Sequence, residues 1–349
     1  MTGAVKNAVK DAVTGAASAA VSARAPAALK KAPQLRFNLH LQGQVFCVLA
    51  LALVISSLAG LRLAPRQELL TAGAWLLLLG MPHGAFDGLL ARQLFGVVGP
   101  KAWALFSLCY VGLAAGVVAL WVVAPTLFLC AFLIASAVHF GADPVDEISK
   151  NGGSKSCRVW LTRGLYGGAV IVLPALFHGA ELQHLLGLVA GPGSAAGVAP
   201  VLSLLAPPWL VATAVASALQ ARRSRRSRRS RRAACESAAL VALLLAAPPL
   251  VAFSVYFCAM HSPRHVLRTL ARVPAGQARG ALLLALWPTL AVLAVLAALA
   301  MGAWLGWLKQ GLPFEAGVMQ LVFVSLAALT LPHMLLLEQV RRRAQRAGR

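Results

Sequence analysis

Charge is scarce in this chain. Only 12% of its 349 residues are charged, against roughly 25% in soluble domains. The acids number 10, beside 32 lysines and arginines. With 59% hydrophobic residues and a mean hydropathy of +0.76, the composition excludes an ordinary soluble domain. Cysteine pairs are missing as well. Cys47, Cys109, Cys130, Cys157, Cys235 and Cys258 are scattered with no CxxC spacing, so neither a zinc knuckle nor a disulfide framework is indicated. They read as small apolar residues. No strand-like alternation is sustained, which argues against a β-barrel. Lys6, Lys10, Lys30, Lys31, Lys101, Lys150, Lys155 and Lys309 all fall outside the interiors of the apolar runs, so no Schiff-base lysine is available for a bound aldehyde. Residues 1–36 hold no apolar core before Leu35 and are neither a secretory signal nor a span.

What is abundant is apolar sequence in lengths of about 20 residues, enough to cross a bilayer core. Candidate spans lie near 45–63, 68–91, 102–124, 125–142, 159–177, 200–220, 234–260, 280–305 and 316–338. The expected class is all-α, a polytopic transmembrane helical bundle of about eight or nine spans, because the run 102–142 is broken only by Pro125. One membrane-embedded domain is expected over 41–340. A basic, alanine-rich, disordered arm precedes it over 1–40, an Arg/Ser-rich loop interrupts it over 221–233, and a basic tail follows over 341–349. These basic blocks carry much of the +22 formal charge. They read as anchors facing the cytoplasm and anionic lipid rather than as a nucleic-acid surface. A nine-span count with the N-terminus inside places Arg264–Arg279 and the tail on the wrong side. Either one span is miscounted or the segment 180–198 is a further crossing.

Most of the eight histidines lie inside or at the mouths of apolar runs, where a polar ring needs a reason to be. Four fall in three motifs: Pro82-His83-Gly84-Ala85-Phe86-Asp87, His139-Phe140-Gly141-Ala142-Asp143 and His261-Ser262-Pro263-Arg264-His265. A fifth is His333, after Pro332. His83 and His139 are each followed four residues later by an acid, Asp87 and Asp143. On a helix such a pair shares a face, and a metal-bound imidazole generally donates its second N–H to such a carboxylate. A pair of structural His–Asp contacts at helix ends is the plainer alternative. In the third motif, Ser262-Pro263 reads as an N-cap and first-turn proline, so that His261 ends one helix and His265 begins the next. Arg264 beside them is awkward for a cation site unless it points to lipid headgroups or pairs with Asp87 or Asp143. His333 either lines the site or is structural. His178 and His184 flank a turn with Glu181 and look interfacial, and His40 carries no role.

Several neutral imidazoles without thiolates point to a borderline metal such as Fe(II), Zn(II) or Cu. Zinc would want a hydrolysable substrate, and no His-Glu-x-x-His box is present. Iron, with positions open to dioxygen, suits an apolar substrate better.

These motifs, with Ser136-Ala137-Val138 before His139, Tyr256-Phe257-Cys258-Ala259-Met260 before His261, and Leu331-Pro332-His333, resemble the Brp/Blh family of bacterial and archaeal integral-membrane β-carotene 15,15′-dioxygenases. The likeness covers about residues 45–338. The resemblance implies His83, His139, His261 and His265 as catalytic Fe(2+) ligands; by their spacing, Asp87 and Asp143 would orient His83 and His139. It further implies O₂-dependent cleavage of the central double bond of all-trans-β-carotene to two molecules of all-trans-retinal. Membrane lipid, a bacterial inner-membrane location and an opsin as product acceptor go with that reading. An apolar substrate tunnel is expected, with Phe86, Phe140, Tyr256, Phe257 and His333 among its candidate lining, and Phe253 nearby.

Two rivals stand beside it. A di-iron desaturase or hydroxylase would want several His-x-x-x-His or His-x-x-His-His boxes, and this chain has one such spacing. A metal or proton transporter would use buried His and Asp, but neither an internal repeat nor matched Gly/Pro-interrupted spans are evident.

Overall fold

The computed structural model describes residues 33–141, 156–223, 228–271, 273, 280 and 313–347. All of the elements among them are helical. In chain order they are α1 (Pro33–Leu58), α2 (Pro65–Trp75), a π-turn (Leu76–Gly80), a 3-10 turn (Met81–Phe86), α3 (Asp87–Phe95), α4 (Pro100–Val123) and α5 (Pro125–Phe140). There follow α6 (Ser156–Val172), α7 (Ala175–Ala190), α8 (Pro192–Arg223), α9 (Arg228–Ala246), α10 (Pro249–Val255), a second π-turn (Tyr256–His261), α11 (Ser262–Leu270) and α12 (Phe314–Ala347). Prolines open α2, α4, α5 and α10, where the missing N–H costs no helical bond.

Among the described residues, five helices are long and apolar enough to cross a membrane. The count rises to six if Trp160–Val172 and Ala175–Ala190, bent by 71°, form one broken span. The larger number expected from hydropathy is not reproduced, for local reasons. Pro174 breaks the run 159–177 before α7, and α5 is a 16-residue helix. Pro248 and Pro249 divide 234–260, and 281–305 lies outside the described residues. The suspected crossing 180–198 is the end of α7 and the start of α8, joined at Gly191, whose φ of 86° suits glycine.

Helix runs across three of the segment boundaries drawn from composition. Helix α1 begins at Pro33, inside the expected arm. Both flanks of the 221–233 segment are helical, through Arg223 and again from Arg228. The basic tail continues α12 as far as Ala347. Arginine is a good helix former, so a basic run extends an existing helix readily.

Helix α12 packs against α2, α3, α4 and α7, which makes it the spine of the fold. Helices α5 and α6 cross at very close range. A Cβ on Gly167 would overlap the Ala137 carbonyl, and one on Gly141 would overlap the Arg163 carbonyl. Buried Arg163 sits at this crossing, its Nη1 3.4 Å from Glu338 Oε2 on α12. The outer surface is apolar: α4 has no buried residue and exposes Leu105, Leu108, Val111 and Val122. Such a face suits hydrocarbon as its solvent.

Candidate active site

The two π-turns pack against each other and lead into two of the three histidine motifs. Cys258 Sγ donates to Trp75 O at 3.2 Å, and Ser262 Oγ donates to Leu79 O at 2.9 Å. Gly80 lets the ring of Phe257 close in, since a Cβ there would strike it. A π-turn widens the helix by one residue and commonly marks a functional site. The first leads directly into the 3-10 turn that holds Pro82-His83-Gly84, and the second ends on His261. Ser262 is therefore not the N-cap that its sequence suggests. Its backbone is helical (φ −60°, ψ −51°), its hydroxyl serves Leu79, and the helix runs on through Pro263. The widened turn absorbs the proline without a break.

Four described histidines meet inside this frame. Ring centroids step from His261 to His139 (4.7 Å), from His139 to His333 (5.3 Å) and from His333 to His265 (5.0 Å). All four rings are buried. His139 comes from the last turn of α5, His261 from the second π-turn, His265 from α11 and His333 from α12. His139 Nε2 and His261 Nε2 are 2.9 Å apart. Two imidazole nitrogens bound at ~2.1 Å in adjacent positions on one ion stand about 3 Å apart, so this pair has the spacing of two ligands. An N–H···N hydrogen bond has the same length. His265 Nε2 lies 3.4 Å from Thr269 Oγ1. Among the described residues, no three His, Cys, Asp or Glu side chains converge on one point that could hold a metal.

Asp87, only 3% exposed, faces this cluster. His333 Nδ1 approaches its Oδ1 at 2.7 Å, and the Tyr110 hydroxyl donates to its Oδ2 at 2.9 Å. Asp87 was expected to orient His83. Residues Met81–Phe86 form a 3-10 turn with three residues per turn. The Asp87 oxygens are engaged by α12 and α4. The His83 side chain lies outside the described atoms, and Asp143 lies outside the described residues. Arg264 faces away from the cluster: Nη1 pairs with Glu236 Oε2 and Nε donates to Gln42 Oε1, each at 3.0 Å. His178 faces Glu181 (Nδ1 to Oε2, 3.7 Å) and Leu245 O (Nε2, 3.2 Å), and His184 is exposed.

The aromatic residues form a shell around His261. Phe140 meets its ring edge-on at 5.0 Å, Phe257 stacks on it at 5.5 Å, and Tyr256 lies at 6.1 Å. Behind them opens an apolar cavity lined by Leu133, Ser136, Leu185, Leu186, Phe253 and Phe323, among others. Phe253 stacks on Phe257 at 5.6 Å, linking the cavity wall to His261. Of the aromatics expected along a tunnel, Phe253 lines this cavity; Phe86, Phe140, Tyr256, Phe257 and His333 do not. They are packed in the protein interior.

Sequence reasoning passed over Tyr110 and Thr269. One signal was available for the first. Tyr110 is one of only three tyrosines and lies mid-run in 102–124, where a buried hydroxyl usually has a partner.

Apolar-surfaced helices around a buried cluster of imidazoles, one carboxylate and hydroxyls define a membrane-type helical protein with a polar centre enclosed in its interior. The chain belongs to the β-carotene 15,15′-dioxygenase family, whose model matches residues 74–340. Among its relatives is the probable β-carotene 15,15′-dioxygenase Blh of Halobacterium salinarum. It is 31% identical over 299 residues, which cover 80% of this chain and 86% of the relative. The β-carotene 15,15′-dioxygenase of uncultured marine bacterium 66A03 is 27% identical over 266 residues, 76% of this chain and 91% of that one. This chain is accordingly an enzyme, a carotenoid dioxygenase. No solved structure matches it.

Proposed function

We propose that this enzyme lies in the bacterial inner membrane and cleaves the central 15,15′ double bond of all-trans-β-carotene with O₂. The balance is one C40 carotene plus one O₂ to two molecules of all-trans-retinal, with no further reductant. The observation that carries this reading is the cluster of His139, His261, His265 and His333 beside an apolar cavity. A hydrocarbon substrate dissolved in the bilayer would enter such a cavity without crossing water.

The donor set fits iron in type, being neutral imidazole without thiolate, and His139 and His261 have the spacing of adjacent ligands. In this reading His83, His139, His261 and His265 hold Fe(2+), which when bound supplies the one-electron chemistry that lets triplet dioxygen react with a closed-shell polyene. The remaining steps belong to the chain's own residues. Asp87 accepts the Nδ1 proton of His333 and leaves the Nε2 lone pair of that ring inside the cluster. Tyr110 holds the second oxygen of Asp87 and keeps the carboxylate from turning. Phe140, Phe257 and Tyr256 exclude water from His261, and Phe253 and Phe323 set how far the polyene slides.

The test is expression in a bacterium that accumulates β-carotene, with pigments separated by chromatography beside a His139→Ala control. Retinal at two molecules per carotene lost, in the wild type alone, is the expected result. Products of unequal length would show eccentric cleavage. Unchanged carotene in well-expressed, iron-loaded protein would refute β-carotene as the substrate and point to a different carotenoid.

A further inference from the structure

A second polar group, outside the imidazole cluster, is built against the second π-turn. Gln42 on α1 donates from Nε2 to Ala259 O at 2.6 Å, with Met260 O at 3.4 Å. Its Oε1 accepts from Arg264 Nε on α11, and Arg264 Nη1 reaches Glu236 Oε2 on α9. The side chains of Arg264 and Glu236 are only 13% and 18% exposed. Three helices are thus tied to the carbonyls of the two residues that immediately precede His261.

The sequence explains why those carbonyls need a donor. Pro263 has no N–H, so the carbonyl four residues back, that of Ala259, loses its helical partner. The π-turn displaces the ladder further, because the Ser262 N–H bonds Phe257 O five residues back. In surroundings as apolar as these, a backbone carbonyl must be satisfied from within the protein. Gln42 supplies the donor. Arg264 sets its amide direction by binding the oxygen end, and Glu236 neutralises and aims Arg264. The neighbouring residue makes the reach possible: Gly43 is buried, and a Cβ there would run into the Glu236 carboxylate.

The position of this group matters for the site. Each residue of an α-helix turns the chain by about 100°. Loss of the single residue of π-widening would therefore rotate one side of the turn against the other by that angle. His261 at its end and His265 one turn later would then no longer face His139 and His333 together.

We propose that Gln42, Arg264 and Glu236 form a positioning clamp that holds the second π-turn in register and so aims His261 and His265 within the dioxygenase site. The clamp rests on the function proposed above. It touches neither substrate nor the reacting atoms, and its effect passes through the two imidazoles.

The test uses the purified full-length enzyme in lipid nanodiscs, as wild type, Gln42→Leu, Gln42→Glu and Arg264→Lys. Two readouts are taken: kcat and KM for β-carotene, and the visible spectrum and affinity of Co(II) bound in place of iron, which reports imidazole geometry without turnover. The clamp predicts a fall in kcat on the order of ten- to a hundred-fold in both Gln42 variants, the scale expected when reacting groups are misplaced by about 1 Å. KM stays near the wild-type value, and the Co(II) spectrum changes. Arg264→Lys keeps the charge but loses the fork, and falls between. If Gln42→Leu does not fold, the near-isosteric Gln42→Glu, which turns an acceptor toward Ala259 O, carries the comparison with Arg264→Lys. Wild-type kcat and an unaltered Co(II) spectrum in the folded Gln42 variants would overturn the clamp while leaving the dioxygenase reading intact. A rise in KM alone would overturn it too, since the clamp would then serve substrate binding. Wild type that neither binds Co(II) nor converts β-carotene would remove the function and the clamp together.

Discussion

Nδ1 of His333 lies 2.7 Å from Oδ1 of Asp87, across a sequence separation of 246 residues. The contact joins the last described helix to the residue that opens α3, and both partners are almost wholly buried, at 1% and 3% exposure. With Tyr110 on the other oxygen, Asp87 draws α3, α4 and α12 to one point beside the imidazole cluster. His333 thereby acquires the carboxylate partner that usually accompanies a metal-bound or catalytic imidazole.

Replacing Asp87 with Ala frees the His333 ring beside the imidazole cluster and should lower retinal formation by roughly 10–100-fold, the scale lost when a group at the site is misplaced. Retinal yield is the measurement. An unchanged value would confine Asp87 to a packing role.

Tyr110→Phe removes one hydrogen bond to the same carboxylate and leaves its volume nearly intact. A loss of about tenfold in kcat is expected, since a hydrogen bond to a charged group contributes ~1.5–3 kcal/mol. A lowered melting temperature with an unchanged kcat would confine Tyr110 to a structural role.

His333→Ala should be as damaging to retinal formation as His139→Ala, whereas His184→Ala, an exposed ring on α7, should leave activity within about twofold, as surface substitutions usually do. Comparable activity in His333→Ala and His184→Ala would return His333 to a structural role.

Gly167→Ala places a methyl group against the Ala137 carbonyl at the crossing of α5 and α6. Overpacking of this kind costs about 1–3 kcal/mol, and it pushes on the helix that carries His139. A lowered melting temperature in detergent, together with reduced iron retention, is expected. A variant that melts with the wild type would show that the helices can part without penalty.

Leu186→Trp fills the apolar cavity from α7. KM for β-carotene should rise by roughly tenfold or more, as when a pocket loses a few methylenes of space, while a polyene with one end truncated is affected less. Equal effects on both substrates would show that the polyene end lies elsewhere.

Much of this protein could be read from residue order. Composition and patterning determined the all-helical, apolar-surfaced class, because long apolar runs without strand-like alternation leave the helix as the way to satisfy the backbone in hydrocarbon. The motifs that place His139, His261 and His265 in one buried cluster were also legible, as was their family, because each is a local signal that survives in a short window. The span count was less legible. Hydropathy does not see that Pro174 or Pro248 bends a helix inside an apolar run, and a broken or short helix has the same composition as a spanning one. Three other features were beyond sequence reasoning altogether: that Asp87 serves His333 and Tyr110, that Arg264 turns from the histidines to Glu236 and Gln42, and that two π-turns face each other. Each depends on the rotation of one helix against another. For the π-turns and Arg264, close packing at Gly80 and Gly43 bears on that rotation, since a side chain at either glycine would strike Phe257 or Glu236. Local sequence sets which face of a helix is polar, but only the close-packed interior decides which other helix that face meets.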